Sequence, residues 1–331
     1  MRKQMNFDFV GKKKKFALVS LCVLLVGILC NIFMGARLDI QFTGGSIIKY
    51  SYNGDISEQA VQDALKPVTG GNESLQFNYN VYAANSDGAH NMLSVSLSEK
   101  DQLSSEDQQA MLDALKKAFP DAAVTQVESN SVEATMGREF FWKCMVAVAL
   151  ASLLMLVYVA FRFRKIGGWS AGLMALLALL NDCLVSYFVF IIFRIPLDDN
   201  FVAVILTILG YSLNDTIVVY DRIRENRRLL GPKSDLATVV NLSLNQSFGR
   251  TLNTSVATFM AVSCVTVVAL IYNLDSILSF SVPMMFGVLS GFYTSVFLAS
   301  PLWVGLRSAM AKRKAARAEK DTGKKNKAAA R

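Results

Sequence analysis

Six long apolar segments constrain the fold of this 331-residue chain more than any other feature of its sequence. An α-helix rises 1.5 Å per residue, so about 20 apolar residues are needed to cross a hydrocarbon layer of roughly 30 Å. Apolar residues make up 53% of the chain and charged residues only 18%, which excludes an ordinary globular enzyme, a disordered chain and a disulfide-stapled secreted module. The sequence therefore predicts an integral membrane protein, with spans at 16–35, 140–161, 169–193, 201–220, 252–272 and 278–306.

The distribution of charge predicts how these spans are oriented. If both termini are cytoplasmic, the inner segments hold 24 Lys or Arg and 6 Asp or Glu, whereas the outer loop 39–135 holds 5 and 14. This asymmetry follows the positive-inside rule, which predicts that both termini lie in the cytoplasm and that the loop 39–135 lies outside the cytoplasmic membrane. The first span is long enough to be an uncleaved anchor rather than a signal peptide. We expect Trp142, Trp169 and Trp303, all at span ends, to lie at the membrane interface.

These boundaries divide the chain into five parts. We predict a cytoplasmic N-terminus (1–15), a first transmembrane helix (16–35), an extracytoplasmic α+β domain (36–138), a five-helix transmembrane region (139–306) and a basic cytoplasmic tail (307–331). The tail has no apolar stripe, so we expect it to lie in solvent near anionic lipid. The net charge of +8 is the sum of basic inner segments and an acidic outer loop, so it does not indicate nucleic-acid binding.

The outer loop is long enough to form a small domain. Alternating strands are predicted at 46–52, 75–82, 92–97 and 123–132, with helices at 55–65 and 104–119. The first helix is expected to open with a capping box of Asp55 and Glu58. The order βαββαβ is typical of ferredoxin-like folds. His90, the one histidine of the chain, is expected in the turn between the middle strands.

Polar groups inside the spans are the candidate functional residues, because ionisable side chains are costly in a bilayer. Asp215 lies in the fourth span between Asn214 and Thr216, and Arg250 lies just before the fifth span. Asp215 is predicted in the cytoplasmic third of the membrane, within reach of Arg250 on a neighbouring helix. The pair is interpreted either as a proton relay or as a fixed buried ion pair that orders the bundle, and Arg250 alternatively reaches towards lipid head groups.

Two further sets of residues in the spans are candidates for supporting roles. Asn181 and Asp182 lie near the middle of the third span, where they form polar contacts with a neighbouring helix or take part in transport directly. Gly287 and Gly291 are spaced four residues apart in the last span, near Ser290, Thr294 and Ser295. Small residues at this spacing let helices approach closely, so helix packing is the predicted role.

The chain lacks the residues that nucleotide binding, His-based catalysis and metal binding require. The chain has no P-loop for ATP phosphates, and a single histidine leaves no His-based catalytic set. The five cysteines show no metal-type spacing. We therefore predict no enzymatic activity, no cofactor and no metal site, and expect energy to come from an ion gradient or a partner.

The stretch 210–228, GYSLNDTIVVYDRIRENRR, resembles the fourth-span signature of the SecD/SecF protein-export family. The segments Phe42-Thr43-Gly44-Gly45 and Gly249-Arg250-Thr251 are similar to two more elements of that family, and 290–301 resembles its last span. The resemblance implies a SecF-like half of a resistance-nodulation-division bundle that pairs with a SecD-like subunit. It further implies that the complex acts with a SecYEG-type channel on unfolded preproteins and uses the proton-motive force. By this resemblance Asp215 and Arg250 are the proton-path residues.

Two other functions remain open at this stage. One is a half-unit of a proton-coupled lipid or drug exporter of the same superfamily, although an outer domain of about 100 residues is small for that role. The other is an intramembrane aspartyl protease with Asp182 and Asp215 as its dyad. Those enzymes have Gly-x-Gly before the second aspartate, and Asp215 instead follows Ser212-Leu213-Asn214.

Overall fold

The computed structural model of the protein describes residues 7–70, 73–82, 89–98, 104–132, 134–231, 234–272, 274–311 and 313. Its helices are α1 (Lys13–Met34), α2 (Ile40–Thr43), α3 (Glu58–Thr69), α4 (Ser105–Ala118), α5 (Ala134–Arg162), α6 (Gly168–Ile192), α7 (Asp199–Leu229), α8 (Leu236–Ile271) and α9 (Asp275–Tyr293). A π-helical segment (Thr294–Ala299) continues α9, and the helix runs on to Ala311. The strands are β1 (Gly45–Tyr52), β2 (Glu73–Tyr82), β3 (Ala89–Ser98) and β4 (Thr125–Val132).

Six helices are long and apolar enough to cross a membrane, as predicted: α1 and α5 to α9. Their burial is unequal. More than half of the apolar stretch is buried in α6, α7 and α9, against 6% in α1 and 17% in α5 and α8. Lipid tails are as apolar as leucine, so close packing and polar contacts hold such helices together. The three buried helices therefore form the centre of the bundle, and the other three lie around it.

The helices α7 and α8 extend well beyond the predicted spans. The fourth span was expected to end at Tyr220 and the fifth to begin at Leu252, but most of 221–249 is helical. At 1.5 Å per residue, the 31 residues of α7 measure about 46 Å, more than a bilayer core requires. Ion pairs stabilise the polar end of α7: Arg224 to Asp221 at 2.8 Å and Arg222 to Glu225 at 2.6 Å. Hydropathy marks where apolar sequence stops, which is not where the helix stops.

Trp303 lies inside the bundle, so the prediction that it sits at the membrane interface is wrong. Its side chain is fully buried, its ring centroid is 6.1 Å from that of Tyr220, and its Nε1 donates to Ser170 Oγ at 3.0 Å. Trp142 and Trp169 are 63% and 72% exposed on the bundle surface. Sequence position located the end of the span correctly but did not show which side of the helix faces its neighbours.

The domain between α1 and α5 has the predicted βαββαβ order. Its four strands form one antiparallel sheet in the order β2-β3-β1-β4, the arrangement expected of a ferredoxin-like fold. Alternate residues of β1 and β3 point to one face, where α3 and α4 cover them. The core formed there includes Ile48, Tyr50, Val61, Leu65, Leu93, Val95, Met111 and Leu115.

Local details of this domain differ from the sequence-based expectation. The N-cap of α3 is Ser57, whose Oγ accepts from the backbone N–H of Ala60, so the predicted capping box of Asp55 and Glu58 is wrong. The capping box belongs to α4, where Ser104 and Asp107 bond reciprocally. His90 belongs to β3 and pairs with Val81 of β2, rather than lying in the turn. The tip of that hairpin, 83–88, lies outside the described residues.

Tyr50 makes the stability of this domain sensitive to alkaline pH. Its phenol oxygen is buried and has no hydrogen-bond partner among the residues that the structure describes, and burial raises the pKa of Tyr50 to about 12 from its ordinary value of 10.0. The unfolded chain loses the proton from pH 10 upward while the folded domain keeps it, so stability falls as the pH rises from 10 towards 12. We expect Tyr50→Phe to reduce that fall and to add about 1 kcal/mol at neutral pH, since an unpartnered buried hydroxyl is costly.

Urea unfolding of the full chain in detergent micelles, followed by circular dichroism at neutral pH and at pH values between 10 and 12, tests this expectation. The control is Tyr158→Phe, because the Tyr158 side chain is half exposed on α5. Equal alkaline losses in the wild type and Tyr50→Phe would contradict the assignment.

Candidate functional site

Asp182, near the middle of α6, is the fully buried carboxyl group at the centre of the bundle. Ser212 Oγ and Ser290 Oγ each donate to it at 2.6 Å, and Thr294 Oγ1 lies 2.8 and 3.0 Å from its two oxygens. No cation lies within ion-pair distance of Asp182 among the residues that the structure describes. Three hydroxyl groups therefore satisfy this carboxyl group in place of a counter-ion.

The three hydroxyl groups come from two other helices, so Asp182 joins three elements. Ser212 lies on α7 and Ser290 on α9, and Thr294 is the first residue of the π-helical segment that continues α9. Ser290 and Thr294 are four residues apart and share one face of the helix. We call Asp182 with Ser212, Ser290 and Thr294 the hydroxyl cluster. It is a polar contact point shared by the three most buried helices.

Two glycines allow α9 to approach α7 and α6 closely enough for this contact. A Cβ atom added to Gly287 would lie 2.1 Å from Ile208 Cδ1 and 2.9 Å from Ser186 Oγ. A Cβ added to Gly291 would lie 3.1 Å from the Cβ of Ser212, the residue whose Oγ donates to Asp182. The glycine spacing noted in the sequence thus lies on the face that brings Ser290 and Thr294 to Asp182.

Asn181 extends the hydroxyl cluster to α1. Its Oδ1 accepts from Ser20 Oγ at 2.5 Å, and its Nδ2 lies 3.5 Å from Ser290 Oγ. Most of α1 is exposed, so this bond is a specific polar contact between a peripheral helix and the centre of the bundle.

Asp215 lies one turn of α7 after Ser212 and is 2% exposed. Ser255 Oγ of α8 donates to its carboxyl group at 3.2 Å. Among the described residues Asp215 has one hydroxyl group as a hydrogen-bond partner, whereas Asp182 has three, and a carboxyl group has capacity for several hydrogen bonds. The two aspartates therefore differ: one is enclosed by donors, and the other retains unused bonding capacity at the boundary between α7 and α8.

Hydrogen bonds through Thr216, Ser295 and Ser212 link the residue next to Asp215 to a donor of Asp182. Thr216, next to Asp215, lies 2.9 Å from Ser295 Oγ. Ser295 Oγ donates in turn to the backbone carbonyl of Ser212 at 3.1 Å, and the side chain of Ser212 donates to Asp182. The π-helical turn carries both Thr294 and Ser295, and π-turns inside α-helices are frequent at functional sites.

Arg250 does not contact Asp215 in this structure. Its side chain is exposed, no ion pair within 4.0 Å joins it to a described carboxylate, and it lines a surface cavity of about 560 Å³ between α7 and α8. Thr251 and Ser255 are the residues of α8 that point inward at this level. Asn214 is also exposed. The predicted site residues thus separate into an inner group of Asp182, Asp215 and Thr216 and an outer group of Asn214 and Arg250.

Sequence reasoning ranked Asp182 below Asp215 and assigned its partners to helix packing. The available signal was that Ser290 and Thr294 share a helical face with Gly287 and Gly291. The carboxyl group they bind lies more than 100 residues earlier in the chain, and no local pattern identifies it. Among the described residues, no cluster of three or more His, Cys, Asp or Glu side chains is placed to hold a metal ion.

Comparisons with known proteins place this bundle in one family. Residues 110–309 match the family model for the protein export membrane protein SecD/SecF, C-terminal. Among curated relatives, the protein translocase subunit SecF of Sebaldella termitidis is 32% identical over 92% of this chain and 92% of its own length. The protein translocase subunit SecDF of Bacillus subtilis is 30% identical over 90% of this chain, which spans 38% of that longer protein.

The fold agrees with the sequence match. The crystal structure of SecDF from Thermus thermophilus, described as a translocon-associated membrane protein, superposes with a TM-score of 0.74 at 25% identity. That superposition covers 92% of this chain and 39% of the SecDF chain. The family model covers more than half of the chain, and the SecF relative aligns almost end to end. This multi-pass membrane protein belongs to the SecD/SecF protein-export family.

Proposed function

We propose that this chain is a SecF-type subunit that uses the proton-motive force to assist the movement of preproteins across the bacterial cytoplasmic membrane. The observation that carries the proposal is Asp215, a buried carboxyl group in the middle of a membrane helix, held by one hydroxyl group of α8. An ionisable group in that setting costs several kcal/mol, and such groups in membrane helices therefore mark functional sites by default. Relatives of this chain are named protein translocase subunits.

The coupling step follows from what a proton does to such a group. A protonated Asp215 is neutral and compatible with the apolar interior, whereas the ionised form requires donors or a cation. Arg250, on the outer face of α8, supplies a positive charge when α8 shifts or rotates relative to α7. Proton binding and release at Asp215 therefore favour different positions of these two helices. Thr216, Ser295 and the hydroxyl cluster transmit that change to α6 and α9.

The partner in this proposal is a SecD-like membrane subunit. The chain spans less than half the length of the SecDF relatives it matches, which carry the second half within the same polypeptide. Asn214 and Arg250 are exposed on the surface of this half. A second half-bundle packed there would cover both residues and enclose the space next to Asp215. We further propose that the α+β domain faces the outside, that both termini are cytoplasmic, and that a SecYEG-type channel receives the preprotein.

Reconstitution with the SecD-like subunit and the channel in proteoliposomes tests this function. With both termini cytoplasmic, we expect an imposed pH gradient, acidic on the side of the α+β domain, to increase the yield of a fully translocated preprotein severalfold. A protonophore should remove the increase, and an equal sodium gradient should not replace it. Transport of a fluorescent lipid or drug without any effect on preprotein yield would instead support the exporter alternative.

A further inference from the structure

A cavity lined by four arginines lies at the end of the bundle opposite the α+β domain. It measures about 490 Å³ and is formed by Phe161, Arg162, Arg164, Arg224 and Arg228. Arg162 ends α5, Arg164 lies in the short connection to α6, and the other two arginines are one turn apart on the polar extension of α7. We call it the arginine cavity.

The acidic residues near the arginine cavity do not balance its charge. Asp221 binds Arg162 at 3.2 Å and Arg224 at 2.8 Å, which accounts for two of the four guanidinium groups. Arg164 and Arg228 have no carboxylate within 4.0 Å among the residues that the structure describes. The cavity therefore presents an excess of positive charge with donors free to bind an anion.

The cavity lies at the depth expected for lipid head groups. The 20 residues from 201 to 220 cover about 30 Å of helix, so Asp221 to Arg228 begin where the hydrocarbon layer ends. Phe161 is 71% exposed and Trp169, at the start of α6, is 72% exposed, as in the aromatic belts of membrane proteins. The guanidinium group of Arg164 lies 5.3 Å from the ring centre of Phe161. Exposed apolar surface thus borders the cationic site.

We propose that the arginine cavity binds the phosphate of an anionic phospholipid, with the acyl chains lying along the apolar surface beside Phe161. Guanidinium groups bind phosphate oxygens through paired N–H donors, and basic pockets between membrane helices are suited to anionic head groups. A soluble anion would gain nothing from the exposed apolar surface at the rim. The proposal does not rest on the gradient-driven step at Asp215, and the site lies in the described bundle rather than in the basic tail.

The test uses the full-length chain in nanodiscs of phosphatidylcholine that contain a small fraction of spin-labelled phosphatidylglycerol. The restricted component of the spin-label spectrum reports lipid held by the protein. We expect the double variant Arg164→Gln/Arg228→Gln to lower the preference for phosphatidylglycerol over spin-labelled phosphatidylcholine about tenfold, because each basic residue at a membrane surface strengthens anionic-lipid binding severalfold. These two arginines have no ion pair with a described carboxylate, so their replacement leaves the ion pairs of Asp221 with Arg162 and Arg224 in place.

The matched control is Lys14→Gln/Lys15→Gln, which removes two exposed charges from α1 outside this cavity. A loss of preference as large as that of the arginine variant would show a diffuse charge effect and overturn the proposal. The proposal would also be overturned if Arg164→Gln/Arg228→Gln left the preference for phosphatidylglycerol unchanged. Inorganic phosphate at constant ionic strength is the third arm: it should leave the labelled lipid in place, and displacement would assign the cavity to a free anion instead.

Discussion

Asp215→Asn is expected to abolish the stimulation of preprotein translocation by a pH gradient while leaving the translocation seen without a gradient intact. Asparagine has nearly the same shape and can still accept the bond from Ser255, so the packing between α7 and α8 is retained. It cannot ionise, so it cannot alternate between a neutral and a charged form. The measurement is translocation by the reconstituted complex with and without the imposed gradient. In the Asp215→Asn variant, translocation with the gradient should be no higher than translocation without it.

The control for this prediction is Glu225→Gln, which makes the same chemical change on the same helix. Glu225 lies on the exposed polar end of α7, paired with Arg222, and the Glu225→Gln variant is predicted to retain full stimulation.

Arg250→Ala is expected to resemble Asp215→Asn, since it removes the cation that the proposed helix movement brings to Asp215. Both variants should still co-purify with the SecD-like subunit. Normal stimulation in Asp215→Asn would exclude this residue as the coupling group.

Asp182→Ala should destabilise the bundle by about 3 kcal/mol, the second large effect that we predict. The substitution leaves the hydroxyl groups of Ser212, Ser290 and Thr294 without their shared acceptor in a buried site. Each unpartnered buried hydroxyl costs roughly 1 kcal/mol or more, although bonding to a carbonyl of its own helix recovers part of that cost. Unfolding of the full chain in mixed detergent micelles with increasing dodecyl sulfate measures the change.

Two further variants distinguish the hydroxyl cluster from a simple packing effect. Asp182→Asn retains the shape and one acceptor oxygen, so its loss should be clearly smaller than that of Asp182→Ala. Thr207→Val removes an exposed hydroxyl of α7 that bonds only to its own helix, and it should change stability by less than about 0.5 kcal/mol. If Asp182→Ala were as stable as Thr207→Val, the cluster would not hold the three helices together.

Much of the architecture was predictable because the relevant signals are local. A span of about 20 apolar residues must cross the bilayer wherever its neighbours lie, so hydropathy located all six helices. Alternating residues and turn signals identified the βαββαβ order in the same way. The cost of a carboxyl group in lipid likewise depends on its own position, which is why Asp215 and Asp182 were found as candidates from the sequence.

Rotation of each helix about its axis, by contrast, was decided only by tertiary packing. It turned Trp303 into the bundle, and it placed Arg250 outside while Ser255 reached Asp215. It also directed Ser212, Ser290 and Thr294 to Asp182, across sequence separations of 30 to 112 residues. A hydropathy profile fixes how far along its axis a helix crosses the membrane, but the direction in which each side chain points depends on contacts with helices elsewhere in the chain. The spans thus follow from the sequence, and the connections between the two aspartates follow from the packed bundle.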